Sequence, residues 1–137
     1  MSKRKKNILF SLTALIVGCL LYVVLRKHTY IGSMVNGIGI VEKIREKYML
    51  QVHNFYKFYL PDFLWGCSLG CGLIAIHDPG IKGVIICASF SFFCGLIWEI
   101  LQYLKVLNGT GDIHDMIMYL LASAVCIIIN LKETRRR

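Results

Sequence analysis

Residues 8–25 read ILFSLTALIVGCLLYVVL, a run of 18 residues without a charged side chain. About 20 apolar residues in a helix cross the hydrocarbon core of a bilayer, so this run predicts a transmembrane helix. Four basic residues precede the run, and Arg26 and Lys27 follow it without the small-residue cleavage site of a secretory signal peptide. We therefore expect a signal anchor that stays in the membrane.

The rest of the chain is equally apolar. Its 137 residues are 56% hydrophobic with a mean hydropathy of +0.60, which is more apolar side chain than a soluble domain of this length can bury. Three further spans are predicted over about residues 61–76, 84–104 and 113–131. Four spans and their connections use the whole length, so we predict one all-α membrane domain over residues 1–137.

The connection between the first two spans has its own pattern. Residues 40–50 place apolar groups at helical spacing among charged ones, which predicts a short interfacial helix. In the second span, Gly66 and Gly70 are spaced so that another helix backbone could approach closely. Residues 77–80, His-Asp-Pro-Gly, should end that span in a turn.

The net charge of +8 is concentrated at the two ends of the chain. Four spans place both termini on one side of the membrane, together with nine of the 16 Lys and Arg residues, against seven on the other side. The positive-inside rule then predicts cytoplasmic termini in a bacterial inner membrane, with the inverted orientation as the alternative. Because this rule already accounts for the basic runs, we expect the lipid bilayer, and not nucleic acid, as the partner.

All six cysteines fall within apolar segments, and none forms a C-x-x-C pair. This pattern favours small packing residues over a disulfide framework. Cys67 and Cys71 share a helix face, so a metal or redox pair is the alternative.

Polar side chains within the spans are the main functional signal, since a central charge costs about 2.5–3.5 kcal/mol on insertion scales. Glu99 lies inside the third span and Gln102 follows one turn later, while Asp112 and Asp115 repeat that spacing at the start of the fourth. We take these four as candidate catalytic residues. Near them, at the predicted outer end of the bundle, lie four candidate substrate-binding residues: Asp62, His53, His114 and Lys105.

Three carboxylates drawn together repel, so Glu99, Asp112 and Asp115 would need a proton, a cation or a basic partner. Their oxygens suit a hard divalent ion such as Mg2+, Ca2+ or Mn2+, and a histidine would shift the preference toward a transition metal. A carboxyl beside a histidine could also serve as a general acid and base. The structural alternatives are that Asp112 caps the fourth helix with Asp115 in its first turn, and that Glu99 bonds a neighbouring helix.

From residue 60 onward the chain resembles the VanZ-like family of small bacterial membrane proteins. The matching residues are Glu99-x-x-Gln102 near the end of one span and Asp112-x-x-Asp115 at the start of the next. The resemblance implies a four- or five-helix bundle, a role in the cell envelope and a link to glycopeptide (teicoplanin) resistance. Where the family carries an arginine between the two pairs, this chain has residues 108–111, Asn-Gly-Thr-Gly, and Lys105 could replace that cation.

The leading hypothesis is a VanZ-like protein whose outward-facing polar pocket binds or modifies a lipid or cell-wall precursor. Whether it is an enzyme stays open. The alternative is a non-enzymatic membrane protein in which the same polar residues are structural and the glycine-rich second span docks another membrane protein. A proton or ion pathway is disfavoured, because a conduit needs ionisable groups at several depths.

Overall fold

The computed structural model describes residues 2–25, 34–35, 37–48 and 54–134. Within these ranges the chain is helical, and four of the helices are long and apolar enough to cross a membrane. The predicted all-α, multi-pass membrane protein is thereby confirmed, and a short helix lies where one was predicted before the second span. In chain order the helices are α1 (Lys3–Leu25), α2 (Gly39–Tyr48), α3 (Asn54–Phe58), α4 (Leu60–His77), α5 (Ile81–Tyr103) and α6 (Ile113–Thr134).

The spanning helices extend beyond the apolar runs that predict them. α1 begins at Lys3 instead of residue 8, because Lys3 and Asn7 are buried against the rest of the bundle and Lys3 Nζ donates to the Pro79 carbonyl at 3.1 Å. α5 begins at Ile81 and α6 continues to Thr134. The turn after α4 is where the sequence predicts it, with Asp78 in the left-handed region (φ 39°) and its N–H bonded to the Ile74 carbonyl. The helix α3 was not predicted.

α4 lies at the centre of the bundle and packs against α1, α5 and α6. Its glycines make the close contacts: a Cβ on Gly66 would lie 2.8 Å from Ala122 Cβ, and one on Gly70 would lie 3.1 Å from Cys126 Sγ. On the opposite face, a Cβ on Gly72 would lie 3.1 Å from Ser11 Oγ. The predicted close approach at Gly66 and Gly70 is therefore confirmed, and the helix that approaches is α6.

Hydrogen bonds to backbone carbonyls join the spanning helices. Ser91 Oγ donates to the Gly66 carbonyl at 2.9 Å, and Ser11 Oγ donates to the Ser68 carbonyl at 2.8 Å. Ser123 Oγ donates to the Ala88 carbonyl at 2.9 Å. Such bonds contribute about 0.6 kcal/mol each inside a membrane protein. Together they fix the rotation of each helix about its axis, which decides the side chains that face the interior.

The cysteines are free thiols, and three of them pack in the core. Cys71 Sγ lies 3.2 Å from Cys126 Sγ, and Cys126 also donates to the Cys67 carbonyl at 3.6 Å. The close thiol pair therefore joins α4 to α6 and is not the Cys67–Cys71 pair that the spacing suggested. These contacts agree with cysteine as a packing residue.

The bundle has two ends. At the end that we call the terminal end, α1 and α5 begin and α4 and α6 finish, as the contact between Asn7 Nδ2 and Asn130 Oδ1 at 2.7 Å shows. At the other, the loop end, α4 and α6 begin, α1 and α5 finish, and α2 lies against α1. The candidate polar residues of the spans lie at the loop end.

Candidate functional site

Glu99 lies one turn before the end of α5, with only 2% of its surface exposed. Its Oε2 accepts the backbone N–H of Asp112 at 3.1 Å. The chain can return this close because Gly111 has no side chain: a Cβ there would lie 2.7 Å from the Glu99 carbonyl oxygen. The Glu99 carboxylate thus holds the loop that leads into α6, which is the type of structural bond that the sequence offered as its alternative role.

Tyr119 and Asp62 form a second buried polar contact, between α6 and α4. Tyr119 Oη donates to Asp62 Oδ1 at 3.2 Å, and both residues are more than nine-tenths buried. The Tyr119 hydroxyl also lies close enough to Glu99 and Asp115 for each carboxylate to act on it electrostatically. We refer to these four residues, contributed by three helices, as the carboxylate–tyrosine cluster.

Two glycines make room for the Tyr119 ring. A Cβ on Gly95 of α5 would lie 2.3 Å from Tyr119 Cγ, and one on Gly66 of α4 would lie 3.3 Å from Tyr119 Cδ1. The ring is therefore enclosed between the backbones of two helices, and its hydroxyl has a fixed position. Because a rigid side chain holds the hydroxyl against the Asp62 carboxylate, this part of the cluster is preorganised.

The Asp112 carboxylate is directed to His114 and not to this cluster. Its Oδ1 accepts the backbone N–H of His114 at 2.9 Å and contacts His114 Nδ1 at 2.8 Å. This is the geometry of a residue that caps α6, as one of the sequence interpretations proposed. The bonds from the His114 backbone and imidazole stabilise the anion and lower the pKa of the Asp112 carboxyl below its ordinary value.

His114 lies at the outer edge of the loop end and is well exposed. Its ring is 5.4 Å from the ring of Tyr59, the residue just before α4. His114 therefore links the beginning of α6 to the beginning of α4, beside the cluster and not within it. His53, the other histidine predicted to bind substrate, lies outside the described residues.

Gln102 and Lys105 also lie apart from the cluster. Gln102 Nε2 donates to the Asn108 carbonyl at 3.4 Å and lies over Gly109, where a Cβ would be 2.5 Å away. Gln102 thus shapes the loop before α6. Lys105 is exposed in a left-handed backbone conformation (φ 58°), and in the described part of the chain it forms no ion pair with a carboxylate.

Residues 2–25, 34–35, 37–48 and 54–134 contain no group of three His, Cys, Asp or Glu side chains arranged to hold a metal ion. The reason lies in the orientations above, since the Asp112 carboxylate caps α6 while Glu99 accepts a backbone N–H. The geometry therefore does not support the three-carboxylate metal site of Glu99, Asp112 and Asp115. What it does show is the hydrogen bond of Tyr119 to Asp62, with Glu99 and Asp115 within electrostatic range of the same hydroxyl.

Arg45 of α2 is a further polar residue of this end whose role the sequence analysis missed. It is only 4% exposed, with Nη2 donating to the Val23 carbonyl at 2.7 Å and Nε donating to the Val24 carbonyl at 3.1 Å. The last carbonyls of a helix lack partners within that helix and carry partial negative charge, which a guanidinium complements. Arg45 thus fixes α2 against the end of α1.

The arrangement can accept hydrogen bonds and attract positive charge at a buried position near the loop end. A well-exposed imidazole, that of His114, lies beside that position. No family model, curated protein or solved structure matches the chain.

Proposed function

We propose that this chain is a VanZ-like protein of the bacterial cell envelope that binds or modifies a lipid or cell-wall precursor at the carboxylate–tyrosine cluster. The observation that supports this proposal is the buried Tyr119–Asp62 hydrogen bond, with Glu99 and Asp115 close to the same hydroxyl. Buried ionisable groups that converge inside a membrane bundle are costly and are most often functional. The link to glycopeptide (teicoplanin) resistance rests on the sequence resemblance.

The charges indicate the kind of headgroup that would bind. Carboxylates within electrostatic range of one another repel, so a ligand rich in hydroxyl, amide or ammonium donors lowers the energy of the cluster. The basic residues of the connection before α4, among them Lys43, Lys47 and Lys57, would attract the phosphates of the same molecule. Lipid-linked cell-wall precursors combine both features.

The proposed orientation places the loop end outside. With nine Lys and Arg residues on the side of the termini and seven on the other, the positive-inside rule favours cytoplasmic termini in the inner membrane. The cluster then faces the outer leaflet, where cell-wall precursors are used.

The second candidate function is a non-enzymatic membrane protein in which the polar residues are structural. It is favoured by the Glu99 bond to the Asp112 backbone, which needs no ligand to account for a buried carboxylate. In this case a partner would have to dock elsewhere than on the glycines of α4, because Gly66, Gly70 and Gly72 are covered by α6 and α1.

Binding of a lipid-linked precursor by the purified protein distinguishes the two functions. We would measure thermal stability in detergent with and without lipid II, for the wild type and for Tyr119→Phe and Glu99→Gln. The matched controls are Tyr103→Phe and Glu46→Gln, whose side chains are exposed. The proposal expects lipid II to raise the melting temperature of the wild type and both controls, and to raise it much less in the two cluster variants.

Two results would favour the structural function instead. One is a melting temperature of the wild type that lipid II leaves unchanged. The other is a response to lipid II that is the same in the cluster variants as in the controls, with a lower starting stability. Mass spectrometry of the lipid recovered after incubation separates binding from modification, and parallel samples with EDTA or Mg2+ show whether a divalent cation contributes.

A further inference from the structure

A groove opens on the membrane-facing surface between α1 and α6, near the terminal end. Its volume is about 360 Å³, within the range of about 300–1,000 Å³ that is typical of ligand sites. It lies at the opposite end of the bundle from the carboxylate–tyrosine cluster, so it is a separate feature with its own chemistry. Its lining residues are Lys6, Asn7, Leu9, Phe10, Thr13 and Ile129.

The groove exists because α1 and α6 both pack against α4 and meet each other at few points. One such point is the buried hydrogen bond from Asn7 Nδ2 to Asn130 Oδ1, at 2.7 Å. Outward from this contact the walls are apolar, with Leu9, Phe10 and Ile129 all partly exposed. From Lys6 to Thr13 the helix rises about 10 Å, so the groove runs from the charged end of α1 into its apolar part.

The terminal end, at which the groove opens, is positively charged. Six basic residues lie at the terminal end within the described residues, against two acidic ones. The basic residues are Lys3, Arg4, Lys5, Lys6, Lys82 and Lys132, and the acidic ones are Asp78 and Glu133. Lys6 itself lines the groove. It takes part in another interaction within the chain, but an ammonium group has three donors and can bind a phosphate as well.

We propose that this groove binds one anionic phospholipid, with the lipid phosphate at Lys6 and one acyl chain along Phe10 and Ile129. The apolar walls accept the chain of any phospholipid, whereas the ammonium group of Lys6 distinguishes an anionic headgroup from a zwitterionic one. This difference separates a specific site from the lipids that surround every membrane protein. The inference does not depend on the proposed function of the loop end.

Native mass spectrometry can test this assignment on the full-length protein in detergent. The protein would be equilibrated with equal amounts of phosphatidylglycerol and phosphatidylcholine that carry the same acyl chains. Two variants alter the groove: Lys6→Gln removes the charge at the rim, and Ile129→Trp fills the apolar part. Their matched controls are Lys132→Gln, which removes a basic residue of the same end, and Ile128→Trp, which changes the adjacent position outside the lining.

We expect the wild type and both controls to retain phosphatidylglycerol in preference to phosphatidylcholine. Lys6→Gln should reduce retention of phosphatidylglycerol about fivefold, the size of one basic residue's attraction to anionic lipid. Ile129→Trp should reduce retention of both lipids. Circular dichroism would show that each variant folds, and Thr13→Leu, which narrows the groove from α1, replaces Ile129→Trp if that variant does not fold.

Three results would overturn the assignment. The first is equal retention of both lipids by the wild type. The second is a loss of phosphatidylglycerol in Lys132→Gln as large as the loss in Lys6→Gln. The third is retention of lipid by the groove-filling variants at the level of Ile128→Trp. The second result would mean that only the general charge of the terminal end attracts the lipid.

Discussion

Tyr119 lies where three spanning helices meet, and its surroundings leave no space for additional atoms. The ring is in contact with the backbone of α5 at Gly95 and of α4 at Gly66, and the hydroxyl is bonded to Asp62. In an interior packed this closely, a single added carbon strains the packing, because the neighbouring atoms cannot move independently. The position of this one ring therefore couples the packing of the bundle to the geometry of the cluster.

Gly95→Ala tests this coupling. The new Cβ would lie 2.3 Å from Tyr119 Cγ, so the ring must move or the helices must separate. We expect the free energy of unfolding in detergent to fall by about 1–3 kcal/mol, the usual cost of overpacking a core. The control is Gly39→Ala, where a Cβ meets nothing within 4 Å. Equal stability of the two variants would show that Tyr119 is not confined as described.

A second prediction concerns the cap of α6. Asp112→Ala should lower the free energy of unfolding by about 1 kcal/mol, because the N–H of His114 loses its acceptor. Asp112→Asn should lower it less, since asparagine caps helices nearly as well. Chemical or thermal unfolding of the two variants at neutral pH measures the difference, and equal losses would argue against capping.

The pH dependence of the same residue follows from the direction of its pKa shift. The pKa of Asp112 is lower in the folded protein than its ordinary value of 3.8, because the anion accepts bonds from His114. Its stabilising effect is therefore fully present above about pH 3.8 and is lost as the pH falls through the lower folded value. The stability difference between wild type and Asp112→Asn should shrink on acidification below that pH.

Local and distant contacts differed in how far the sequence could predict them. The capping role of Asp112 could be predicted, because it depends on residues next to it in the chain. The contact of Tyr119 with Asp62 joins residues 57 positions apart and depends on how two helices are rotated. A signal did exist, since Asp115 and Tyr119 lie four residues apart on one face of α6.

Among the elements, α2 is bonded to the end of α1 through the side chain of Arg45. Arg45 donates to two successive carbonyls at the end of α1, a geometry that suits the planar guanidinium and not the point charge of a lysine. The amphipathic helix is thereby held at the loop end, against the last turn of α1. The spacing of residues 40–50 predicted the helix itself but could not predict this bond, which depends on where α1 ends.

Arg45→Lys should therefore loosen α2 even though the charge is kept. We expect faster amide hydrogen exchange over residues 39–48, measured by mass spectrometry in detergent, because the helix loses its bonds to Val23 and Val24. The matched control is Lys43→Arg on the exposed side of α2, which should exchange as the wild type does. Unchanged exchange in Arg45→Lys would mean that other contacts hold α2 in place.

The ends of the spanning helices show why the apolar runs alone gave approximate bounds. A helix needs about 20 apolar residues to cross the hydrocarbon core, so the apolar runs of the sequence were enough to predict all four spans. Helical hydrogen bonding can continue into the headgroup region wherever side chains find partners, as Lys3 does at the Pro79 carbonyl. These partners lie elsewhere in the chain, and their positions follow only from the folded bundle.

For the whole molecule, four spans place the two termini and the turn after α4 on one side of the membrane, with the loop before α6 on the other. Fusions of alkaline phosphatase and green fluorescent protein at residues 79 and 108 and at the C-terminus test the proposed orientation. We expect fluorescence at residue 79 and at the C-terminus, and phosphatase activity at residue 108. The opposite pattern would mean an inverted protein and would place the cluster on the cytoplasmic side.

The central position of α4 also has a consequence for how the protein is made. α4 is the least apolar of the four spans, α1 the most, and the contacts between them involve residues that all precede position 78. During synthesis the ribosome completes this pair before α5 and α6 exist. We therefore expect α1 to enter the bilayer first and to act as an intramolecular chaperone for α4, so that nascent chains ending near residue 110 should already show α1–α4 cross-links.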